Sequence, residues 1–464
     1  MSIKTTINLF KITDLQKTSK KVFNYFSIFT IVIGTTLGPI NSATAADLAV
    51  TTGGSADVAT TNNAGGANAT LAYDAVSIIN TTSAHQVAYV FGDNAGDIFN
   101  IGETLTITNN YVADATAETV AVSTVGTFNV TGATTITSSY DDDGSTNTNS
   151  SSILTLKNTS TFTGAVTLNE LGATDTASII IGDDGTASTV TFSGGLAAQA
   201  AGEGLLQVNA GGELQTIAGA IGSSTVRFGE VLTTSTATLS GAIVATEVDV
   251  DDDTTFGSTV DGTAINIATG KTATFQSDVT SGASHLTIIG TASIDAAGDQ
   301  TMTGTIEGAG ILDNANTDGT VTFATAIGAN TQVGEIESSA SSISVFNATI
   351  DTALADVHGH ITLTQDDNTV TDLDLETTGT IVIDDTVTTG QTLFLASTST
   401  AAAGIAGTGN VKMPGNLLAG ETITFAVIQD DDTVNAAAVT ALEGAVLDTA
   451  LRTYTVTGDT SNEK

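Results

Sequence analysis

Short runs in which apolar and polar residues alternate recur along the chain after about residue 50. Examples are ILTLKN, AINIATG, HITLTQ and GTIVIDD, in which every second residue is Ile, Leu or Val. This period of two is that of a β-strand with one buried face. Turn signals such as GDDG at 182–185 follow within a few residues. Only residues 436–451, AAAVTALEGAVLDTAL, predict a short helix or a loop, so the pattern predicts an all-β protein.

A short phrase also recurs: Thr, a large apolar residue, three residues of any kind, and an aliphatic residue. Its copies are centred on Phe162, Phe192, Leu239, Phe256, Phe275, Met302 and Phe323. Several of these copies are separated by roughly 20 residues, a repeat length that fits a β-solenoid, in which stacked coils bury a continuous apolar column. We therefore predict that the repeated large residue occupies equivalent inward positions and that the phrase forms one wall of each coil.

A series of tandem β-sandwich domains is the structural alternative, because sandwiches also contain many short strands separated by turns. No unit of about 90 residues recurs, as an immunoglobulin-like sandwich of about that size would require. The chain also has no Trp and only 2 Pro. These observations favour the solenoid.

The charge balance limits the partners of the chain. There are 50 acidic and 11 basic residues, for a formal net charge of −39. Such a field repels nucleic acid and anionic lipid and attracts divalent cations, so nucleic acid is not an expected partner. The chain has no Cys, so its stability must come from a long core, a bound metal or assembly.

The first 45 residues differ from the rest. Lysines up to Lys21 precede the apolar run FNYFSIFTIVIGTTLGPI, and Ala43 and Ala45 then offer a small-residue cleavage site. Residues 1–45 are therefore predicted to be a secretory signal, with an uncleaved membrane anchor as the alternative. We divide the remainder into an N-terminal β-rich region at 46–150, a repetitive solenoid at 151–414 and a C-terminal segment at 415–464.

Acidic clusters are the main candidates for a site. Calcium takes six to eight oxygen ligands, commonly from carboxylates on flexible loops. YDDDGSTNTN and EVDVDDD could supply them, and the candidate ligands are Asp141, Asp142, Asp143, Asp249, Asp251, Asp252 and Asp253. Solvated acidic turns that keep the sheet soluble are the alternative reading. No nucleophile motif accompanies the Ser and His residues, so no catalytic residue and no cofactor other than calcium is expected.

Other phrases carry a family resemblance. The long basic signal, GTGNVKMPGNLLAGETITFAVIQDDDTV at 407–434 and RTYTVTG at 452–458 resemble passenger regions of bacterial autotransporters. The likeness is greatest to the rickettsial outer-membrane surface antigens, in which a stretch similar to 415–464 closes the passenger. The resemblance implies a right-handed parallel β-helix on the surface of a Gram-negative cell, with an adhesive or coat-forming role.

The resemblance also implies the partners. They would be a host or neighbouring-cell surface, or further copies of the chain. Autotransporters carry a translocating barrel after the passenger, whereas this sequence ends at DTSNEK, so membrane attachment is expected only through a barrel outside it. A calcium-binding, self-assembling surface-layer protein is the second hypothesis. A polysaccharide-active enzyme on the same solenoid is the third.

Overall fold

The computed structural model describes residues 47–51, 58–62, 70–81, 87–110, 119–139, 150–172, 175–182, 187–209, 213–282, 284–365 and 368–375, and the short segments 380–383, 394–395, 405–407, 410–412, 445–448 and 453–456. The chain divides into two units, Met1–Ala43 and Thr44–Lys464, and every described residue belongs to the second. The predicted signal at 1–45 and Asp141, Asp142 and Asp143 lie outside the described residues. Among those described, no helix is long and apolar enough to span a membrane.

All regular structure in the described residues is β-strand. Strands β1 to β18 are β1 (Leu48–Thr51), β2 (Val58–Asn62), β3 (Thr70–Tyr73), β4 (Val76–Asn80), β5 (Val87–Phe91), β6 (Ile98–Ile101), β7 (Leu105–Asn110), β8 (Thr119–Thr124), β9 (Thr127–Val130), β10 (Thr134–Ser139), β11 (Ser151–Leu156), β12 (Ser160–Phe162), β13 (Val166–Glu170), β14 (Thr176–Gly182), β15 (Ser188–Phe192), β16 (Leu196–Ala198), β17 (Glu203–Asn209) and β18 (Gln215–Ala218). Strands β19 to β30 are β19 (Phe228–Thr233), β20 (Ala237–Leu239), β21 (Ile243–Val250), β22 (Thr254–Phe256), β23 (Val260–Ile267), β24 (Thr272–Phe275), β25 (Val279–Ser281), β26 (Leu286–Ile288), β27 (Thr291–Ile294), β28 (Gln300–Thr303), β29 (Ile306–Glu307) and β30 (Ile311–Asn314). Strands β31 to β42 are β31 (Thr320–Phe323), β32 (Val333–Ser338), β33 (Ile343–Phe346), β34 (Asp351–Val357), β35 (His360–Leu363), β36 (Thr369–Leu375), β37 (Thr380–Ile383), β38 (Phe394–Leu395), β39 (Ile405–Gly407), β40 (Asn410–Lys412), β41 (Ala445–Asp448) and β42 (Thr453–Val456).

The strands form a parallel β-helix whose coils have three faces. In the first coils each strand pairs in parallel with the strand three places later: β1 with β4 on the first face, β2 with β5 on the second and β3 with β6 on the third. Later, one long strand covers the first two faces, as when β21 pairs with β23 from Ile243 to Val250. Parallel pairs link successive coils as far as β40. Since sandwiches are antiparallel, this pairing confirms the solenoid and excludes tandem sandwiches among the described residues.

Inward side chains form columns that run from coil to coil. On the first face Val166, Leu196, Ile221, Ile243 and Val260 lie opposite one another in turn. All five are at most 1% exposed. Burial of each such side chain contributes about 1.5–3 kcal/mol, and the column exists because alternate residues of every strand face inward.

Aromatic rings stack within these columns. Phe162 lies opposite Phe192 with ring centroids 5.4 Å apart, and Phe256 lies opposite Phe275 at 5.2 Å. The prediction of inward large residues is therefore confirmed for the third face. Met302 and Phe323 are also inward, but Met302 lies opposite Val279 on the first face and Phe323 lies opposite Met302, so the predicted equivalence is wrong for these two copies.

The repeated phrase is a corner rather than a wall. In the copy centred on Phe192, Thr191 and Phe192 end β15, the next three residues turn, and Leu196 begins β16 on the first face of the next coil. A Cβ on Gly194 would lie 2.4 Å from the carbonyl carbon of Gly164 in the preceding coil. The predicted wall is wrong because the chain turns between Phe192 and Leu196, and Gly194 is required by this close backbone approach, which alternation alone does not reveal.

Coil length varies along the stack. Val76 pairs with Leu105 in the early part of the chain, whereas Ile243 pairs with Val260 in the later part. Equivalent positions are therefore much further apart in sequence in the early coils than in the later ones. The predicted repeat length describes the later coils and misses the longer early ones. Residues 445–448 form a strand, β41, in an antiparallel hairpin with β42, where the sequence predicted a helix or a loop.

Candidate functional site

The predicted ligands at 249–253 lie on the second face and at the corner that follows it. Asp249 faces outward on β21, and its Oδ1 accepts a hydrogen bond from Nδ2 of Asn266 at 2.8 Å. The same amide donates to Oε1 of Glu247 at 3.3 Å. Asn266 lies opposite Asp249 on the next coil, so the amide bridges two outward carboxylates of one strand.

Asp252 and Asp253 are tied to the next coil instead. Oδ1 of Asp252 lies 2.7 Å from Nζ of Lys271, and this hydrogen bond holds the pKa of Asp252 below its ordinary value. Oδ1 of Asp253 accepts the N–H of Thr272 at 2.9 Å. Asp251 is exposed at the corner, and its N–H donates to the carbonyl of Thr233. These contacts give the acidic segment a structural role between coils.

The predicted ligands therefore point to separate partners. Within the described residues, no group of three or more Asp, Glu or His side chains converges as a metal site. Calcium binding by Asp249, Asp251, Asp252 and Asp253 stays a prediction, and Asp141, Asp142 and Asp143 lie in a segment that the structure does not describe.

A second group of carboxylates lies on the third face. Asp313 on β30 is opposite Glu337 on β32, which is opposite Asp356 on β34. Glu335 lies two residues before Glu337 on the same outward side, and we call these four residues the acidic ladder. Neighbouring strands lie about 4.8 Å apart, so the carboxylates follow one another at short range.

The acidic ladder is electrostatically strained. Partial burial raises the pKa of Glu337, and the charges of Asp313, Glu335 and Asp356 raise it further. Burial likewise raises the pKa of Asp313, although Oδ2 accepts a hydrogen bond from Oγ of Ser293 at 2.9 Å. Its Oδ1 is buried without a hydrogen-bond partner. His358 lies at the end of the ladder, where its Nε2 is 3.2 Å from Oδ1 of Asp356.

Sequence reasoning missed the acidic ladder because its members are isolated along the chain, in ILDN, EIES and ADVH. The signal that could have found it is the shared register of these strands. That register extends backwards through a column of outward hydroxyls, Thr189, Thr216, Thr238, Thr255, Thr274 and Ser293, which leads directly into Asp313.

Two basic side chains, Arg227 and Lys271, are engaged with acidic neighbours. Nη2 of Arg227 lies 2.6 Å from Oδ1 of Asp261, and Nη1 donates to the carbonyls of Ala245 and Asp261 at 3.0 Å each. Arg227 thus clamps three successive coils, as Lys271 clamps two. Both cations bind carboxylates of the same chain. The outer faces therefore present mainly hydroxyls and carboxylates.

No protein-family model matches the chain, and neither a curated protein nor a solved structure is significantly similar to it. Inference about its function therefore rests on the sequence and on the geometry described above.

Proposed function

We propose that this chain is an exported cell-surface protein, of the autotransporter-passenger type, which acts as an adhesin or as a structural surface protein. The observation that carries the proposal is the succession of parallel coils from β1 to β40 among the described residues, with columns of hydroxyl and carboxylate groups outside. Each coil depends on its neighbours, so such a stack is extended by adding coils and offers a long repetitive surface. The partners are a host or neighbouring-cell surface, or other copies of the chain.

The contacts of the acidic residues support a structural role over an enzymatic one. Asp249, Asp252 and Asp253 satisfy an amide, an ammonium and a backbone N–H of the next coil. A general acid and base pair would need free carboxylates facing one substrate position. We therefore place polysaccharide cleavage behind adhesion and surface structure.

The test compares cells that carry the gene, cells from which it is deleted and complemented cells. Attachment to host or neighbouring cells, and integrity of the cell coat, should fall on deletion and return on complementation. Neutralising one acidic cluster, by Asn at Asp249, Asp251, Asp252 and Asp253, should leave the function in place. Hydrolysis of a polysaccharide by the purified protein, lost in that same variant, would show an enzyme instead.

The acidic ladder favours a second candidate, a calcium-binding surface-layer protein that assembles with itself. A row of raised-pKa carboxylates facing outward could be bridged by calcium to a neighbouring copy. Calcium should then raise both the melting temperature and the assembly state, and the double variant Asp313→Asn, Glu337→Gln should lose the assembly response. If calcium changes neither property of the wild type, this candidate is abandoned.

A further inference from the structure

A different pair of acids lies inside the coil, where the first face turns into the second. Glu170 ends β13, and Asp175 immediately precedes β14. Glu170 continues an inward column that begins with Asn80, Asn109 and Ser138 on the three preceding coils. Neither the surface clusters nor the acidic ladder includes these two residues, so the pair requires its own explanation.

Backbone amides hold one oxygen of each carboxylate. Oε1 of Glu170 accepts the N–H groups of Ala177 at 2.8 Å and Gly204 at 3.2 Å. Oδ1 of Asp175 accepts the N–H of Ser150 at 3.3 Å. Since these donors come from three coils, they fix both carboxylates in place whether or not anything binds between them.

Two other oxygens have no partner. Asp175 is only 5% exposed, and its Oδ2 accepts no hydrogen bond. Ser138 is 0% exposed, lies opposite Glu170 in register, and its Oγ also has no hydrogen-bond partner. A buried polar atom without a partner destabilises the fold, and a buried carboxylate does so more strongly than a neutral group.

Within the described residues, backbone N–H groups, those of Ser150 and Gly172 for Asp175, lower the pKa of the two carboxyls, and no cationic side chain does. Burial raises the pKa of Asp175, and it raises the pKa of Glu170, to which the charges of Glu203 and Asp175 add. Oε2 of Glu203 accepts the N–H groups of Glu170 and Ala200, so this third carboxylate is already engaged. The corner therefore combines fixed carboxylates and a hydroxyl without a hydrogen-bond partner, and none of the described cations lies against them.

We infer that Glu170 and Asp175, together with Oγ of Ser138, bind one divalent cation of the calcium class at this corner. All three side chains offer oxygen, the donor that hard cations prefer, and none offers nitrogen or sulfur. Two carboxylates balance the charge of the ion. Water or backbone carbonyls complete the six to eight oxygens that calcium takes. The ion would join the coil of β10 to the next coil, that of β13 and β14.

Calorimetric titration of the full chain with calcium chloride tests the inference. The protein is first treated with a chelator and then studied at about 0.15 M salt, which screens the exposed carboxylates. The wild type should show one saturable site and a calcium-dependent rise in melting temperature. Asp175→Asn keeps an oxygen for the Ser150 N–H but removes a charge, and it should weaken calcium binding by about tenfold or more.

Asp278→Asn is the matched control, because Oδ1 of Asp278 also accepts a backbone N–H of a neighbouring coil, that of Thr301 at 2.8 Å, and Asp278 belongs neither to this corner nor to the acidic ladder. It should retain the saturable site. Asp175→Asn should be no less stable than the wild type without calcium, since it removes a buried charge, and circular dichroism checks its fold. Ser138→Ala should weaken calcium binding less than Asp175→Asn.

Two results would overturn the inference. One is calcium binding that is unchanged in Asp175→Asn, which would place the ion elsewhere. The other is a wild type that shows no saturable calcium site. If its stability also rises as the pH falls through the raised pKa of Asp175, a proton and not a metal ion occupies the corner.

Discussion

At the scale of single residues, the interior is a set of columns in which each side chain has one equivalent above and one below. Phe256 lies between Leu239 and Phe275 and is 0% exposed. Its neighbour Thr255 faces outward in the hydroxyl column between Thr238 and Thr274. One strand thus places a core residue and a surface residue side by side, which allows a matched comparison.

Phe256→Ala should lower the free energy of unfolding by about 3–5 kcal/mol, because it opens a cavity between two coils that cannot collapse independently. Thr255→Ala, one residue away and outward, should change it by less than about 0.5 kcal/mol. Urea unfolding followed by circular dichroism measures both. Equal effects of the two substitutions would contradict the inward assignment of Phe256.

Two carboxylates at the surface, Glu337 and Asp252, have pKa values shifted in opposite directions. The pKa of Glu337 is raised from its ordinary value of 4.5 by burial and by neighbouring acids. Its protonated form is therefore favoured by folding, and stability is gained as the pH falls through the raised pKa. The pKa of Asp252 is lowered by its hydrogen bond to Lys271, so its contribution is present above the ordinary value and lost as the pH falls.

Glu337→Gln should accordingly raise the stability at pH 7 by less than about 1 kcal/mol, since solvent screens a partly exposed carboxylate. It should also reduce the stabilisation that acidification from about pH 7 to pH 5 produces in the wild type. Asp252→Asn should instead lower the stability at pH 7, because it removes the charge that binds Lys271. Melting temperatures of the wild type and both variants, measured from about pH 7 to pH 5, test these effects. If the pH dependence in Glu337→Gln equals that of the wild type, Glu337 does not cause the stabilisation on acidification.

At the scale of elements, the corners matter as much as the strands. Gly241 lies in the turn between β20 and β21, where a Cβ would meet the carbonyl oxygen of Gly219 at 1.8 Å. The backbone of Gly241 and the carbonyl group of Gly219 belong to successive coils, so neither can move away without separating the coils. Gly298, by contrast, lies in a turn where a Cβ would meet nothing within 4 Å.

Gly241→Ala should therefore cost about 3 kcal/mol or more, at the upper end of overpacking effects. Gly298→Ala should be close to neutral, because its new methyl group points into open space. Differential scanning calorimetry of the two variants provides the comparison. A Gly241→Ala protein as stable as the wild type would show that the corners do not approach as closely as described.

The elements also show what the sequence could and could not reveal. Alternation predicted the strands well, because burial of every second residue is a local property of one strand. The same reasoning wrongly predicts a wall for the phrase centred on Phe192, because Gly194 is required by contact with the previous coil and not by the alternation of one strand. The acidic ladder was invisible for a related reason: Asp313, Glu337 and Asp356 meet only through strand register, and long corners of unequal length hide that register.

At the scale of the whole molecule, repetition makes one coil replaceable by the next. Ile243 and Val260 occupy equivalent positions, and the corners before them, residues 240–242 and 257–259, have the same length of three residues between the paired strands. Removing residues 243–259 therefore joins equivalent points of successive coils. It also removes Asp249, Asp251, Asp252 and Asp253, the calcium ligands predicted from the sequence.

This deletion should give a folded protein with a single unfolding transition near that of the wild type, since each coil interacts mainly with its neighbours. Deleting only residues 243–250 removes β21 without completing a coil and should abolish cooperative unfolding. Urea denaturation of both proteins makes the comparison. Loss of folding in the first deletion would contradict equivalence of the coils.

We propose that this stacked, acidic β-helix acts outside the cell. The most direct measurement is labelling of intact cells with antibodies raised against the folded segment 213–282, compared with labelling after permeabilisation. We predict equal labelling before and after permeabilisation. Labelling that requires permeabilisation would contradict a cell-surface role.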